Sequence, residues 1–114
     1  MNEDEPSKMT DKIVVLSTCA ALEDAERLAR ALVDGRLAAC VTVVPGVRSF
    51  YRWKGKIEDS GEWLLVIKSS RGRFEELRAA LEKLHSYDVP ELIALPVVEG
   101  TKNYLNWMEG ELGA

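Results

Sequence analysis

The sequence predicts an α+β domain with the element order βαββαβ and one further helix at the C-terminus. Three observations carry this. Four apolar, β-rich runs (IVVL from residue 13, AACVTVV from 38, WLLVIK from 63, LIALPVV from 92) are separated by two stretches of helical periodicity and one tight turn. That turn, Lys54-Gly55, joins the two longest runs into a hairpin. The prolines that interrupt runs, Pro45 and Pro96, fall in the second and fourth.

Residues 1–10, with Glu3, Asp4, Glu5, Pro6 and Ser7, lack apolar periodicity and are expected to form a flexible tail, leaving 11–114 as one domain. Lys12 to Ser17 has the continuous apolar pattern of a strand buried on both faces. Leu22, Ala25, Leu28, Ala29, Leu32 and Val33 repeat at helical steps from a start near Ala21, with Glu23, Asp24 and Glu26 at the positive end of the helix dipole. Gly35 is expected to stop this helix in a left-handed conformation.

Ala38 to Trp53 reads as one long strand broken by a bulge at Pro45-Gly46, and Lys56 to Ser69 as its hairpin partner. Ser70 is a candidate N-cap for a second helix with Phe74, Leu77, Leu81 and Leu84 on one face and Lys83 and His85 at its end. Pro90 bars its continuation. Glu91 to Val98 is a fourth strand, and Thr101 can cap a last helix bearing Tyr104, Leu105, Met108 and Leu112. This order is that of the split-βαβ, ferredoxin-like sheet of four antiparallel strands, in which the second and fourth strands are edges that tolerate a proline.

Composition narrows the function. The chain has 114 residues, 46% hydrophobic and 30% charged, with a formal net charge of −4 and no basic block, so nucleic acid is not an expected partner. No apolar run approaches the ~18 residues that span a bilayer, and the acidic start is unlike a secretory leader. A soluble, cytoplasmic protein without a membrane partner is expected, with Cys19 and Cys40 as reduced thiols. Helices one and two can cover one sheet face only, yet all four strands are apolar at odd and even positions. The second face therefore requires another copy of the chain.

Three clusters could carry chemistry. YRWKGKIE at 51–58 places Tyr51, Trp53, Lys56 and Glu58 at a hairpin tip, with Glu62 beyond; such aromatics suit a subunit contact as well as a ligand pocket. HSYDVPE at 85–91 sets His85, the only histidine, near Tyr87, Asp88 and Glu91, either as a metal ligand or as a helix-end histidine bonded to a carbonyl. Tyr104 and Trp107, three apart, fit a packing pair or a cofactor contact. No nucleophile elbow, Walker A, dinucleotide, zincin or EF-hand motif occurs, and two cysteines with one histidine do not close a zinc site. Catalysis is not expected, and no organic cofactor is indicated.

The stretch LAACVTVVPGVRSFYRWKGKIE at 37–58, Glu62, Leu64, Leu65 and Lys68, HSYDVPELIALPV at 85–97 and YLNW at 104–107 resembles the CutA family of divalent-cation tolerance proteins. The resemblance runs from about Ile13 to Leu112. It implies a ferredoxin-like subunit in a homotrimer similar to those of PII signalling proteins, and a role in tolerance to copper and other divalent metals. It also implies an inter-subunit cleft formed by Tyr51, Trp53, Lys56, Glu58, Glu62, Lys68, Tyr87, Glu91, Tyr104 and Trp107.

Copper(II) or another divalent ion would meet His85 in this reading. Ser17 stands where the family's strand-one cysteine falls, and Leu84 where some members carry a second histidine. Two residues along an extended segment return a side chain to the same face, so Cys19 reaches the site only if strand one persists that far. The competing reading is a PII-like sensor or adaptor whose cleft takes a small anionic or aromatic ligand, with Lys68 supplying the charge.

Overall fold

The computed structural model describes residues 10–113. Of the expected tail, residues 1–9 lie outside them. Thr10 is held: its hydroxyl donates to the Val97 carbonyl and accepts from the Lys12 N–H.

The elements follow the order β1 (Lys12–Cys19), α1 (Leu22–Asp34), β2 (Cys40–Trp53), β3 (Lys56–Ser70), α2 (Phe74–Leu84), β4 (Ile93–Pro96) and α3 (Lys102–Glu111). They form a four-stranded antiparallel sheet ordered β2-β3-β1-β4, with both prolines in edge strands. Side chains alternate across a strand, so Ile13, Val15, Ser17 and Cys19 share a face with Leu65 and Ile67. Onto that face α1 sets Ala25, Leu28 and Leu32, and α2 sets Leu77 and Leu81, forming the main core.

The opposite face is covered at one end only. There α3, whose first turn is capped by Thr101 through its bond from the Tyr104 N–H, packs Met108 and Leu112 against Ala39. The buried Lys12 ammonium bonds Asp11 and Glu109, and the Arg73 guanidinium donates to the Leu112 carbonyl. Burial pulls the Lys12 pKa down, but the two carboxylates outweigh it and the group stays cationic above its ordinary range.

The hairpin outgrows the sheet. β1 ends with Cys19 opposite Trp63, whereas β2 and β3 stay paired through Tyr51–Glu58 to Trp53–Lys56. The radius of gyration is 15.7 Å, against about 13 Å for a compact domain of this length. The arm closes with Lys54 and Gly55 both at positive φ, 51° and 83°, the twist that a two-residue hairpin needs. At its root, the three steps from Val44 to Val47 oppose two steps from Leu64 to Glu62, a one-residue bulge with Gly46 at φ 74°.

Several boundaries depart from expectation. β1 extends past Ser17 because the ladder with β3 continues through Thr18–Leu64 and Cys19–Trp63. β4 is shorter than 91–98: only Ile93 to Pro96 pair with β1, with one further bond from the Val97 N–H to the Lys12 carbonyl. Gly35 sits at φ −81°, and the left-handed residue after α1 is Arg36, φ 58°. Ser70 does not cap α2; it stays buried in β3, and a 3-10 turn over Arg71–Arg73 leads into the helix instead. A β-branched residue at position 46 meets no steric obstacle but must adopt positive φ, so Gly46→Val is expected to lower stability by about 1–2 kcal/mol in denaturant titration.

Candidate functional site

The site forms where β1 stops and the hairpin continues. Beyond Cys19 the next residue of β3 on the uncovered face is Glu62, and the segment after α2 crosses this gap on its way to β4. The result is a cleft of about 720 Å³ lined on one side by Ser49, Phe50, Tyr51, Trp53 and Glu62, and on the other by Thr18, Ser86, Tyr87, Asp88, Val89 and Glu91. Alternation along β2 puts Ser49, Tyr51 and Trp53 on one face, across from Ser60, Glu58 and Lys56.

His85 fixes the crossing segment. Its Nδ1 accepts from the Tyr87 N–H at 3.0 Å, and its Nε2 lies 2.8 Å from the Thr18 carbonyl, which can only accept. The ring proton is thus on Nε2, and both nitrogens are committed to backbone groups. The Ser17 hydroxyl donates to the Glu91 carbonyl and anchors the far end of the segment. Held between these two points, the Tyr87 hydroxyl donates to Glu62 Oε2 at 2.6 Å.

Burial is the main reason the Tyr87 phenol sits well above its ordinary pKa, with the Glu62 carboxylate adding to it. Glu62 itself is 6% exposed. Its other oxygen, Oε1, has no hydrogen-bond partner among the described residues.

Cys19, fully buried, brings its sulfur to 3.8 Å from His85 Nε2, so the two positions singled out for metal do meet. Their chemistry does not favour an ion. Burial, followed by the negative charge of Asp24, pushes the Cys19 thiol up to about 11, and a thiol rather than a thiolate is a poor ligand. An ion at the ring would have to displace Thr18 or Tyr87. Among the described residues no three His, Cys, Asp or Glu side chains converge on one point. The donor set of a single chain does not fit a metal.

The ten residues expected in the cleft divide into four groups. Tyr51, Trp53, Glu62, Tyr87 and Glu91 line it. Lys56 and Glu58 are exposed at the arm's tip, outside it. Lys68 lies six residues along β3 from Glu62, about 20 Å away at ~3.3 Å per residue, and its ammonium donates to Thr42 Oγ1 at 2.6 Å. Tyr104 and Trp107 stack on each other, centroids 5.5 Å apart, on α3. Ser49, Phe50, Thr18, Ser86, Asp88 and Val89 line the cleft without having been expected there; for Ser49 the period of two through Tyr51 and Trp53 was the available signal.

A ferredoxin-like α+β subunit with an overlong hairpin and a cleft at its root defines the class. The family described as "CutA1 divalent ion tolerance protein" matches residues 13–111, and the chain belongs to that family. It is 45% identical over 100 residues to a divalent-cation tolerance protein CutA of Thermus thermophilus, covering 88% of this chain and 97% of that one. Among solved structures, CutA from Xylella fastidiosa superposes with a TM-score of 0.89 at 44% identity, covering 90% of this chain and 99% of the other. CutA1 from Oryza sativa gives 0.87 at 40% identity over 90% and 94%.

Two outcomes test this geometry. Tyr87→Phe strips the buried Glu62 of its donor and is expected to cost about 1–3 kcal/mol by denaturant titration. With its thiol up at about 11, Cys19 is expected to resist iodoacetamide at pH 8 in the folded protein and to react after denaturation, read by peptide mass mapping.

Proposed function

We propose that this protein supports divalent-cation tolerance as a non-catalytic homotrimer, acting through ligand occupancy of the cleft at the hairpin root. The carrying observation is the unpartnered sheet face. Val14, Leu16, Leu64 and Val66 lie on it with Ile93 and Leu95, which are 50% and 48% exposed, and α3 reaches one end only. Burying this much apolar surface is the ordinary driving force for obligate association. The count of three is the one the family resemblance implies, and a PII-like sensing or adaptor role is compatible with it.

Lys68, Tyr104 and Trp107 share this arrangement naturally. Lys68, about 20 Å from Glu62 within one chain, would reach a cleft only on a neighbouring subunit, and Tyr104 and Trp107 on α3 do not line this chain's own cleft. Two free thiols, Cys19 and Cys40, suit a reducing compartment, in keeping with a cytoplasmic protein.

A second reading places copper(II) or another divalent ion at His85 with Cys19, favoured by the 3.8 Å approach of sulfur to ring. It requires the ring to leave the Thr18 carbonyl.

Native mass spectrometry of the untagged protein is expected to give a mass near three times 12.7 kDa, and any copper added at one equivalent per chain to be lost to a weak chelator. Three coppers retained through the chelator would favour the His85 reading. Val43→Pro, in edge strand β2 opposite Leu65, is expected to dissociate and unfold the protein together; a folded, soluble monomer would overturn the trimer.

A further inference from the structure

We propose that the Lys68 ammonium of one subunit is the counter-ion of Glu62 in the next, and that this pair sets the register in which copies of the chain stack. It rests on the trimer reading above and adds to it the polar contact that fixes how neighbouring subunits meet.

The two groups are the charged ends of one apolar strip. Alternation puts Glu62, Leu64, Val66 and Lys68 on the uncovered face of β3, where Val66 and Lys68 lie across from Leu16 and Val14 of β1. Along the strand the strip reads acid, two apolar residues, base. Its ends are about 20 Å apart at ~3.3 Å per residue, and no motion within a paired strand brings them together.

Each end lacks what the other has. Glu62 is more than nine-tenths buried, its Oε2 accepts from the Tyr87 hydroxyl, and Oε1 has no donor among the described residues. A buried carboxylate without a counter-ion is costly. At the other end the Lys68 ammonium donates to Thr42 Oγ1 and lies 3.9 Å from Cys40 Sγ, with no carboxylate partner among the described residues. A hydroxyl and a thiol give it hydrogen bonds but no balancing charge.

A second copy that covers the strip reaches both ends. Apolar burial is non-directional and would hold two such faces at several offsets along β3. Opposite charges at the ends select the offset that sets acid on base, because a slip leaves a carboxylate buried alone. Each subunit then takes an ammonium from one neighbour and gives its own to the other, the heterologous contact from which a closed ring is built. Other lysines of this face are placed differently: Lys12 already bonds Asp11 and Glu109, and Lys56 stands at the arm's tip beyond the strip. Through Glu62 the neighbour's ammonium is also tied to Tyr87, so the segment that walls the cleft is braced by the adjoining subunit.

The test is a double-mutant cycle on the full-length protein, reading by sedimentation the chain concentration of half-dissociation at a fixed urea concentration. Glu62→Gln, which keeps an acceptor for Tyr87, and Lys68→Met, which keeps an apolar stem, are each expected to raise that concentration at least about tenfold. The double variant is expected to raise it no further than the larger single effect. Within one chain the two positions are too far apart to interact, and independent changes would multiply. Lys56→Met is expected to combine with Glu62→Gln as an independent change. In a mixture of isotope-labelled and unlabelled wild-type chains, a carbodiimide, which joins a carboxylate to an amine in contact with it, is expected to give an interchain amide between Glu62 and Lys68, read by peptide mass.

Multiplying effects of Glu62→Gln and Lys68→Met, or coupling of Glu62 to Lys56 in place of Lys68, would overturn the pair while leaving the trimer. Should a variant fail to fold, the wild-type cross-link decides, and absence of the interchain amide overturns the pair. Wild-type protein that sediments as a single chain would overturn the trimer itself.

Discussion

The mismatch in length between the hairpin and its sheet governs the rest of this molecule. β2 and β3 run 14 and 15 residues, while β1, the neighbour of β3 in the centre of the sheet, has 8 and β4 has 4. Where β1 gives out, two strands continue with one partner each and neither helix layer beneath them. The arm beyond is a two-stranded ribbon, a structure with marginal stability of its own, closed by the tight turn at its tip and crossed by the ion pair of Arg48 with Asp59. The cleft is a product of the same mismatch, since it occupies the space that a longer β1 would fill.

His85 ties together three parts of the chain. It ends α2, bonds the carbonyl of Thr18 near the end of β1, and takes the N–H of Tyr87 in the segment that follows. Metal ligation and this role compete for the same two ring nitrogens. As folded, the ring is spent on architecture, and its effect on the cleft passes through the position of the Tyr87 hydroxyl. The buried thiol beside it contributes packing and little nucleophilicity.

The order of elements, the edge positions of both prolines and the apolar character of the second face were legible in the sequence, because each follows from local pattern: runs of β-branched residues, a missing N–H, apolar residues at odd and even positions alike. The reach of β1 to Cys19 was not, since Thr18 and Cys19 have no apolar signature and are held in the ladder by Leu64 and Trp63 across from them. Nor was the role of Ser70. A serine before a helical pattern reads as a cap, and only the pairing of Lys12 with Ser70 reveals that the strand has not yet ended. In the site, Tyr51, Trp53, Glu62, Tyr87 and Glu91 could be named because polar aromatics and acids stand out; their division from Lys68 depends on distance along β3, and from Tyr104 and Trp107 on where α3 docks, which composition does not encode.

The extra residue at Pro45-Gly46 has a consequence for how this family's arm can vary. Counted by strict alternation from Val44, the residues on its side of β2 would be Gly46, Arg48, Phe50 and Arg52. With the bulge they are Val47, Ser49, Tyr51 and Trp53. One residue of slack therefore sets the phase of the arm, and with it whether guanidinium groups or indole and phenol rings stand over Glu62. A relative that gained or lost that slack would turn the other set of arm residues toward Glu62 with the rest of the arm's sequence unchanged, so that ligand preference within the family need not track identity along the arm.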